Sequence, residues 1–452
     1  MFRVVFSLFC LATLSLGLQL KEPSWPTQIC TTLQATLKES SPGYLPSSAE
    51  NQLDTSRIQN ALNKCGSGKA LKLVQGKGNA FLTGQLQIPS GVTLWIDGGV
   101  TLFASRNPRD FDKTKGSCGI LNNNGMGCMP LIYVKQTKNS GIVGQGVIDG
   151  RGGQKMIGSG ESWWELAARA QKVNQEENCP RLLIVQDSQD FTLYHITFHN
   201  SPNFHVSTDN VKGLTVWSVI VDTPSKAYPS GTQARNTDAF DPNGQDIVFY
   251  NCYINTGDDH IALKAGNYPV TNVLVQNCHF YKGHGMSIGS ECNKGVYNVT
   301  VMNLSIDGAD NGIRIKSDAS RGGSVRGINY QNICMRNTYA PFVFDSYYSS
   351  KSGNEYPDFH DITVTNARVV SSAGKQVTLR GYNANYPLKI TLYNVHSDVT
   401  LNNVVASNAM ITEEGVSNIN IKADSSKNVH VSNKGSSGNP IDCSNMFADF
   451  PR

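Results

Sequence analysis

The chain is expected to be all-β, a parallel sheet wound into a coil. Three observations predict this. A column of asparagines recurs at a nearly constant step, and an interleaved column of alternating apolar residues shares that step. Glycine is abundant at 42 residues, while charged residues make up only 16% of the chain. Such a composition suits many short strands joined by tight turns better than packed helices.

The first column comprises Ile247–Asn251, Val273–Asn277, Val299–Asn303, Ile328–Asn332, Ile362–Asn366 and Ile390–Asn394. Each segment carries an apolar residue four positions before its asparagine, and successive asparagines are 26, 26, 29, 34 and 28 residues apart. The second column comprises Ile261–Leu263, Met286–Ile288, Ile313–Ile315 and Phe342–Phe344, at steps of 25, 27 and 29. Two strand ladders sharing one period are what a solenoid produces, each turn lying about 4.8 Å beyond the last. Propeller blades repeat at longer periods, roughly 40 residues or more. The asparagine column predicts side-chain amides bonded from turn to turn, pairing polar groups that bends would otherwise strand.

A solenoid must cap its apolar ends. The segment from Asp54 to Cys65 places Ile58, Ala61 and Leu62 at helical spacing behind a capping residue, and so predicts an N-terminal plug. No comparable cap is legible toward the C-terminus. Residues 1–17 read as a signal peptide: Arg3, an apolar run from Val4 to Leu16, and small residues Ser15 and Gly17. Residues 18–452 then form a single catalytic domain, exported and extracellular. Of eleven cysteines, Cys10 lies in the leader, leaving an even ten that suit an oxidising compartment. Proximity in sequence pairs Cys30 with Cys65 and Cys118 with Cys128. No CxxC pair occurs, which weakens a metal reading, and no cofactor is expected. Asn298 and Asn303 stand in formal glycosylation acceptors. The net charge of +4, or +3 without Arg3, is too small to argue for nucleic acid. No mature segment approaches membrane-spanning length, and a monomer is expected.

Alternation locates the chemistry. If Ile261, Leu263, Met286, Ile288, Ile313, Ile315, Phe342 and Phe344 face inward, their neighbours face out: Ala262 and Lys264, Ser287 and Gly289, Arg314 and Lys316, Val343 and Asp345. Just upstream on successive turns stand Asp238 and Asp241, Asp258 and Asp259, and His284. Individually these are ordinary residues. Gly257-Asp258-Asp259 is most often a turn, Arg314-Ile-Lys316 a solvated strand face, and a histidine between Gly283 and Gly285 a loop residue, although the glycines leave room for a ligand. Their repeat-locked spacing places them together. Glycoside hydrolysis needs one carboxylic acid to protonate the leaving oxygen and one carboxylate to activate water or attack carbon. Clustered aspartates serve this need, because mutual repulsion raises one pKa. A substrate with a carboxylate on every sugar also needs fixed cations.

The segments Asn236-Thr-Asp-Ala-Phe-Asp241, Gly257-Asp-Asp259, Gly283-His-Gly285 and Arg314-Ile-Lys316, in this order, resemble the four signature motifs of the polygalacturonase family. The match is densest over about residues 180–350. Ala239 departs from it, since many relatives carry glycine there, with no consequence for the chemistry. The resemblance implies a right-handed parallel β-helix, inversion at the anomeric carbon and no metal. It implies Asp259 as general acid, Asp238 and Asp258 as the pair that activates water, and His284 as a neighbour tuning the acid. Arg314 and Lys316 would hold the galacturonate carboxylate. Tyr348 falls where relatives place a substrate-contacting tyrosine, although Tyr347 leaves the register open; Asp241 and Lys264 are further cleft candidates. An inverting site should separate its carboxyls by roughly 6.5–9.5 Å. The adjacent Asp258 and Asp259 can both reach the cleft only if Gly257 lets the chain bend.

The implied substrate is polygalacturonate, the backbone of pectin, with a proteinaceous inhibitor as a further partner by analogy. Endo attack is expected, since no large insertion between motifs walls off one end of the groove; exo attack is the alternative. A pectate lyase would require calcium and a proton-abstracting base, and a pectin-binding relative without turnover would have lost a motif acid.

Overall fold

The computed structural model describes residues 20–349, 351–435 and 438–451. The segment 1–17, read above as a signal peptide, lies outside the described residues. The rest is a right-handed parallel β-helix. Among the described residues, 22 strands bond into one continuous wall and 11 into a second.

The second wall carries both the predicted apolar column and the motifs. Five of its strands matter here: β1 (Phe240–Asp241), β2 (Ile261–Leu263), β3 (Met286–Gly289), β4 (Asn311–Lys316) and β5 (Ala340–Asp345). They pair in parallel, with Phe240, Ile261, Met286, Ile313 and Phe342 in one register row. These side chains are at most 2% exposed and belong to one continuous core. Each buried Ile, Leu or Phe contributes about 1.5–3 kcal/mol, which fixes the register. The outward row then follows without freedom: Ala262, Ser287, Arg314 and Val343 are direct partners.

The asparagine ladder exists, with one correction. Amides of Asn303, Asn332, Asn366 and Asn394 each donate to the preceding asparagine at 3.0–3.2 Å. Asn251 does not join it: Asn277 donates instead to the Tyr250 hydroxyl, and Asn251 to Ser218. All six asparagines adopt φ of 53–55°. Asparagine is among the few residues that tolerate this left-handed corner, so backbone geometry as well as hydrogen bonding selects it. Asn303 donates into the ladder through Nδ2, the atom a glycan would modify, so glycosylation there would disturb the ladder. Asn298 also donates, to Asn272, but from an exposed position.

Helix α1 (Thr55–Lys64) buries Ile58 and Leu62 at the N-terminal end, as expected. Asp54 does not cap it through its side chain; the carboxylate instead pairs with Arg57 and accepts the Leu82 amide. Helix α2 (Trp163–Val173) was not anticipated. Its capping box of Ser162 and Glu165, followed by apolar Trp163, Leu166, Ala167 and Ala170, was a legible signal. Disulfides Cys30–Cys65 and Cys118–Cys128 form as paired from the sequence, and Cys334–Cys443 adds a third. The even set of ten does not pair fully. Cys179, Cys252, Cys278 and Cys292 are free and buried, filling the coil as small apolar side chains. No helix among the described residues is long and apolar enough to cross a membrane.

Candidate active site

A groove of about 1580 Å³ crosses the outer face of the second wall. Asp258, His284, Arg314 and Tyr348 line it, flanked by Asn236 and the Pro224–Arg235 loop, with α2 contributing Ala167 and Gln171. Asp238, Asp259 and Lys316, each at most 4% exposed, are buried behind this surface. Sequence-distant motifs therefore converge because each turn of the coil delivers one row.

Two aspartates adjacent in sequence reach the same place. Asp258, Asp259 and His284 each offer an atom within 4.8 Å of the others. The chain does bend at Gly257, but not through a left-handed backbone. A side chain there would put its Cβ 1.9 Å from the Ala234 carbonyl oxygen, so glycine is required by close approach of the preceding turn. Gly285 is explained similarly: its φ is 85°, and a Cβ would lie 2.2 Å from the Gly312 oxygen. It packs the backbone rather than leaving room for a ligand.

Asp258 and Asp259 have opposite surroundings. Asp258 is 22% exposed in its side chain, and its Oδ1 meets His284 Nδ1 at 2.9 Å. His284 also reaches Asp310 through Nε2 at 3.4 Å. Burial alone would depress the His284 pKa, but the bond and charge of Asp258 and the charge of Asp259 outweigh it and lift the imidazole above its ordinary value. Asp259, at 1% exposure, accepts from Lys316 Nζ at 2.6 Å, Ser287 Oγ at 2.8 Å and Arg314 Nη1 at 3.4 Å. Burial alone would raise its pKa; Lys316, Arg314 and Lys264 overcome that and hold the carboxyl well below the usual range. The expectation that Asp259 is the general acid conflicts with these surroundings, because a group gripped by two cations keeps its negative charge. The two cations also supply the positive charge that a metal at Asp258, Asp259 and His284 would bring.

The remaining candidates fall around this centre. Asp238 is pushed well up by burial and by the charges of Asp258 and Asp241. Asp241 is raised to about 6, chiefly by burial against the opposing pull of Lys264 and Arg181. Lys264 pairs with Glu291 at 3.4 Å, and its neighbouring carboxylates hold it charged despite burial. Tyr348 lies over both cations, its ring centre 5.3 Å from the Arg314 guanidinium and 5.0 Å from Lys316 Nζ. Tyr347 instead stacks on Tyr382, so of the two it is Tyr348 that covers the cations. Arg181, Glu291 and Asp310 were missed. Arg181 and Glu291 act through space on Asp241, and no local pattern marks them. Ser287 faces outward as its alternation predicts, and its hydroxyl bonds to Asp259.

The expected wide carboxyl separation is not found between Asp258 and Asp259, whose nearest oxygens lie within 4.8 Å. The arrangement nevertheless divides labour. One side of the centre joins Asp258 to His284, an imidazole held toward its charged form. The other, Asp259 with Lys316 and Arg314, favours the carboxylate form before substrate binds.

Comparison with known proteins gives a consistent result. The family described as Glycosyl hydrolases family 28 matches residues 65–413. A polygalacturonase from Ralstonia solanacearum is 45% identical over 428 residues, covering 85% of this chain and 81% of the relative. An endo-polygalacturonase from Pectobacterium carotovorum subsp. carotovorum is 45% identical over 350 residues, covering 77% and 85%. A solved polygalacturonase from Erwinia carotovora ssp. carotovora superposes with a TM-score of 0.76 at 40% identity, covering 87% of this chain and 98% of its own.

Proposed function

Since the chain belongs to glycosyl hydrolase family 28, we propose that it is an endo-polygalacturonase that hydrolyses α-1,4-galacturonosidic bonds in polygalacturonate. The observation that carries the reading is the cluster of Asp259, Lys316 and Arg314 beside the Asp258–His284 pair, with Asp258, His284 and Arg314 lining one groove and Asp259 and Lys316 buried directly behind it. Polygalacturonases and endo-polygalacturonases at 45% identity over most of the chain support the same activity.

Asp258 protonates the leaving oxygen. It is the acid that lines the groove, and His284 shares its proton across the 2.9 Å bond. Asp259 accepts the proton of the attacking water, because its charge is fixed before substrate arrives. Asp238, driven toward its protonated form by burial, orients that water by donating to it. This exchanges the roles of Asp258 and Asp259 implied by resemblance. Asp259 is buried behind the groove surface at 1% exposure, so a water between it and the sugar, rather than the carboxylate itself, attacks the anomeric carbon, and inversion is the expected outcome.

Arg314, beneath Tyr348 and at the groove surface, grips a galacturonate carboxylate; Lys316 adds charge from below. When that carboxylate enters, Arg314 relaxes its long 3.4 Å contact with Asp259, which strengthens the base. The enzyme is read as exported and monomeric, with pectin as substrate and a proteinaceous inhibitor as a further partner. Residues 18–452 act as one catalytic unit.

The decisive experiment is product analysis on defined oligogalacturonides with the anomer followed by NMR. Internal cleavage with initial release of the β-anomer is expected. Steady release of monomer from one end would replace endo with exo action, and unsaturated products would replace hydrolysis with elimination.

A further inference from the structure

The groove has a wall supplied from far along the chain. After the last strands of the coil, residues 438–451 run back over earlier turns. Cys443 is bonded to Cys334, 109 residues earlier, and Arg368 Nη1 donates to the Ile441 carbonyl at 3.2 Å. The Arg336 guanidinium lies 4.3 Å from the Phe447 ring centre. The Tyr281 hydroxyl then donates to the Ala448 carbonyl at 2.9 Å. These four attachments deliver Phe450 to the groove, where it lies 5.0 Å from Tyr281 at an interplanar angle of 85°. Both rings line the same groove as Asp258 and His284.

Tyr281 stands three residues before His284, on the same turn. Its place in the wall is set by register, because His279 and Phe280 pair with Tyr253 and Ile254. Lys282 is exposed and also lines the groove. Asp307, another lining residue, is neutralised by Arg336 at 2.8 Å. The wall thus presents a half-buried aromatic ring, set edge-to-face with a tyrosine whose hydroxyl is already committed, and the same groove carries the exposed Lys282. An aromatic face covers the C–H face of a sugar ring, and an adjacent ammonium attracts that sugar's carboxylate.

We propose that Phe450, positioned by Tyr281 and by the Cys334–Cys443 bond, is a substrate-stacking residue that binds one uronic acid unit away from the scissile bond, with Lys282 taking its carboxylate. The proposal rests on the polygalacturonase reading and adds a specificity-determining wall to it. Loss of such a stack weakens binding roughly two- to tenfold.

The test compares the wild type with Phe450→Ala and Phe450→Trp on oligogalacturonides from trimer to heptamer, recording KM, kcat, bond-cleavage pattern and Tm. Phe450→Ala should raise KM two- to tenfold only for oligomers long enough to reach the wall, shift the preferred bond, and be restored by Phe450→Trp. The Cys334→Ser/Cys443→Ser double variant should act in the same direction. An equal loss at every length, or a loss tracking Tm and not restored by tryptophan, would overturn the stacking role in favour of a structural one. Hydrolysis by the wild type with identical Phe450→Ala kinetics would overturn this proposal alone. No hydrolysis of any oligomer by the wild type would overturn the activity and the wall with it.

Discussion

Replacing Lys316 by methionine tests the central electrostatic claim, that Asp259 is held as an anion by the floor of the groove. The wild-type contact is 2.6 Å between side chains 5% and 1% exposed, so solvent screens it little. Breaking a buried pair from one side costs about 3–5 kcal/mol. The lower figure applies here because Arg314, at 3.4 Å, and Lys264 still act on the carboxylate. With an unfolding entropy of about 0.9 kcal/mol/K for a chain of this length, 3 kcal/mol lowers Tm by about 3 °C. The sign with pH is the sharper test. In the wild type the depressed pKa of Asp259 contributes stability above the unfolded carboxyl range, lost only as pH falls through the folded value. Without Lys316, burial carries the pKa upward, and the carboxyl becomes tolerable once protonated. The Tm deficit should therefore be about 3 °C at pH 7 and shrink to about 1 °C near pH 4, where little more than one hydrogen bond is lost. Calorimetry of both proteins at the two pH values measures this. A deficit equal at both, or larger in acid, would refute the claim that the lysine compensates a buried charge.

Asp258→Asn and Asp259→Asn should each reduce release of reducing ends by about 10²–10⁴-fold. Only the Asp258 variant should recover on an aryl galacturonide whose leaving group needs no proton; recovery of the Asp259 variant instead would reverse the assigned roles. For His284, the raised pKa means that its charged form persists to higher pH than a free imidazole and is lost as pH rises through the folded value. His284→Ala should accordingly shift the alkaline limb of kcat/KM, and an unmoved limb would exclude coupling to the acid. Arg314→Ala should raise KM on polygalacturonate about tenfold or more, as loss of a charge-assisted bond requires. Asn332→Ala should cost about 1–3 kcal/mol of stability without moving KM, since it removes two ladder bonds and strains a left-handed corner at φ 55°; denaturant titration and steady-state kinetics separate the two effects.

The coil was legible because its information is periodic. A strand that must bury Ile261 must present Ala262 outward, and the next turn repeats the constraint with Met286 and Ser287. The site inherited that legibility, since Arg314 and Lys316 sit in a strand whose register is fixed by Ile313 and Ile315. Features outside the period were harder to see. Tyr347 and Tyr348 follow the strand, and only the turn between them decides which one covers the cations. Phe450 is invisible to any local pattern, because a disulfide spanning 109 residues brings it to the groove. The asparagines were visible as a column, but half of their cause was not: a hydrogen-bonded ladder is an inference from chemistry, whereas a left-handed corner needs coordinates. The four free cysteines show the converse error, since an even count says nothing about which side of a strand each one occupies.

The division between Asp258 and Asp259 shows what a solenoid contributes beyond proximity. Two carboxyls on consecutive residues have nearly the same unfolded pKa, so the asymmetry that hydrolysis requires must come from other turns. The cations arrive from β4, Ser287 from β3, and His284 from the loop just before β3, with each axial step fixed by strand spacing. Because Arg314 and Lys316 are separated by one inward residue, both face the same way and meet Asp259 together. A single-residue register slip would send both into the core and leave Asp259 unpaired. Selection for catalysis and selection for register are therefore the same constraint here: a change that disorders the stacking of Ile313 or Ile315 should appear first as a loss of the acid–base asymmetry, before the coil itself unwinds.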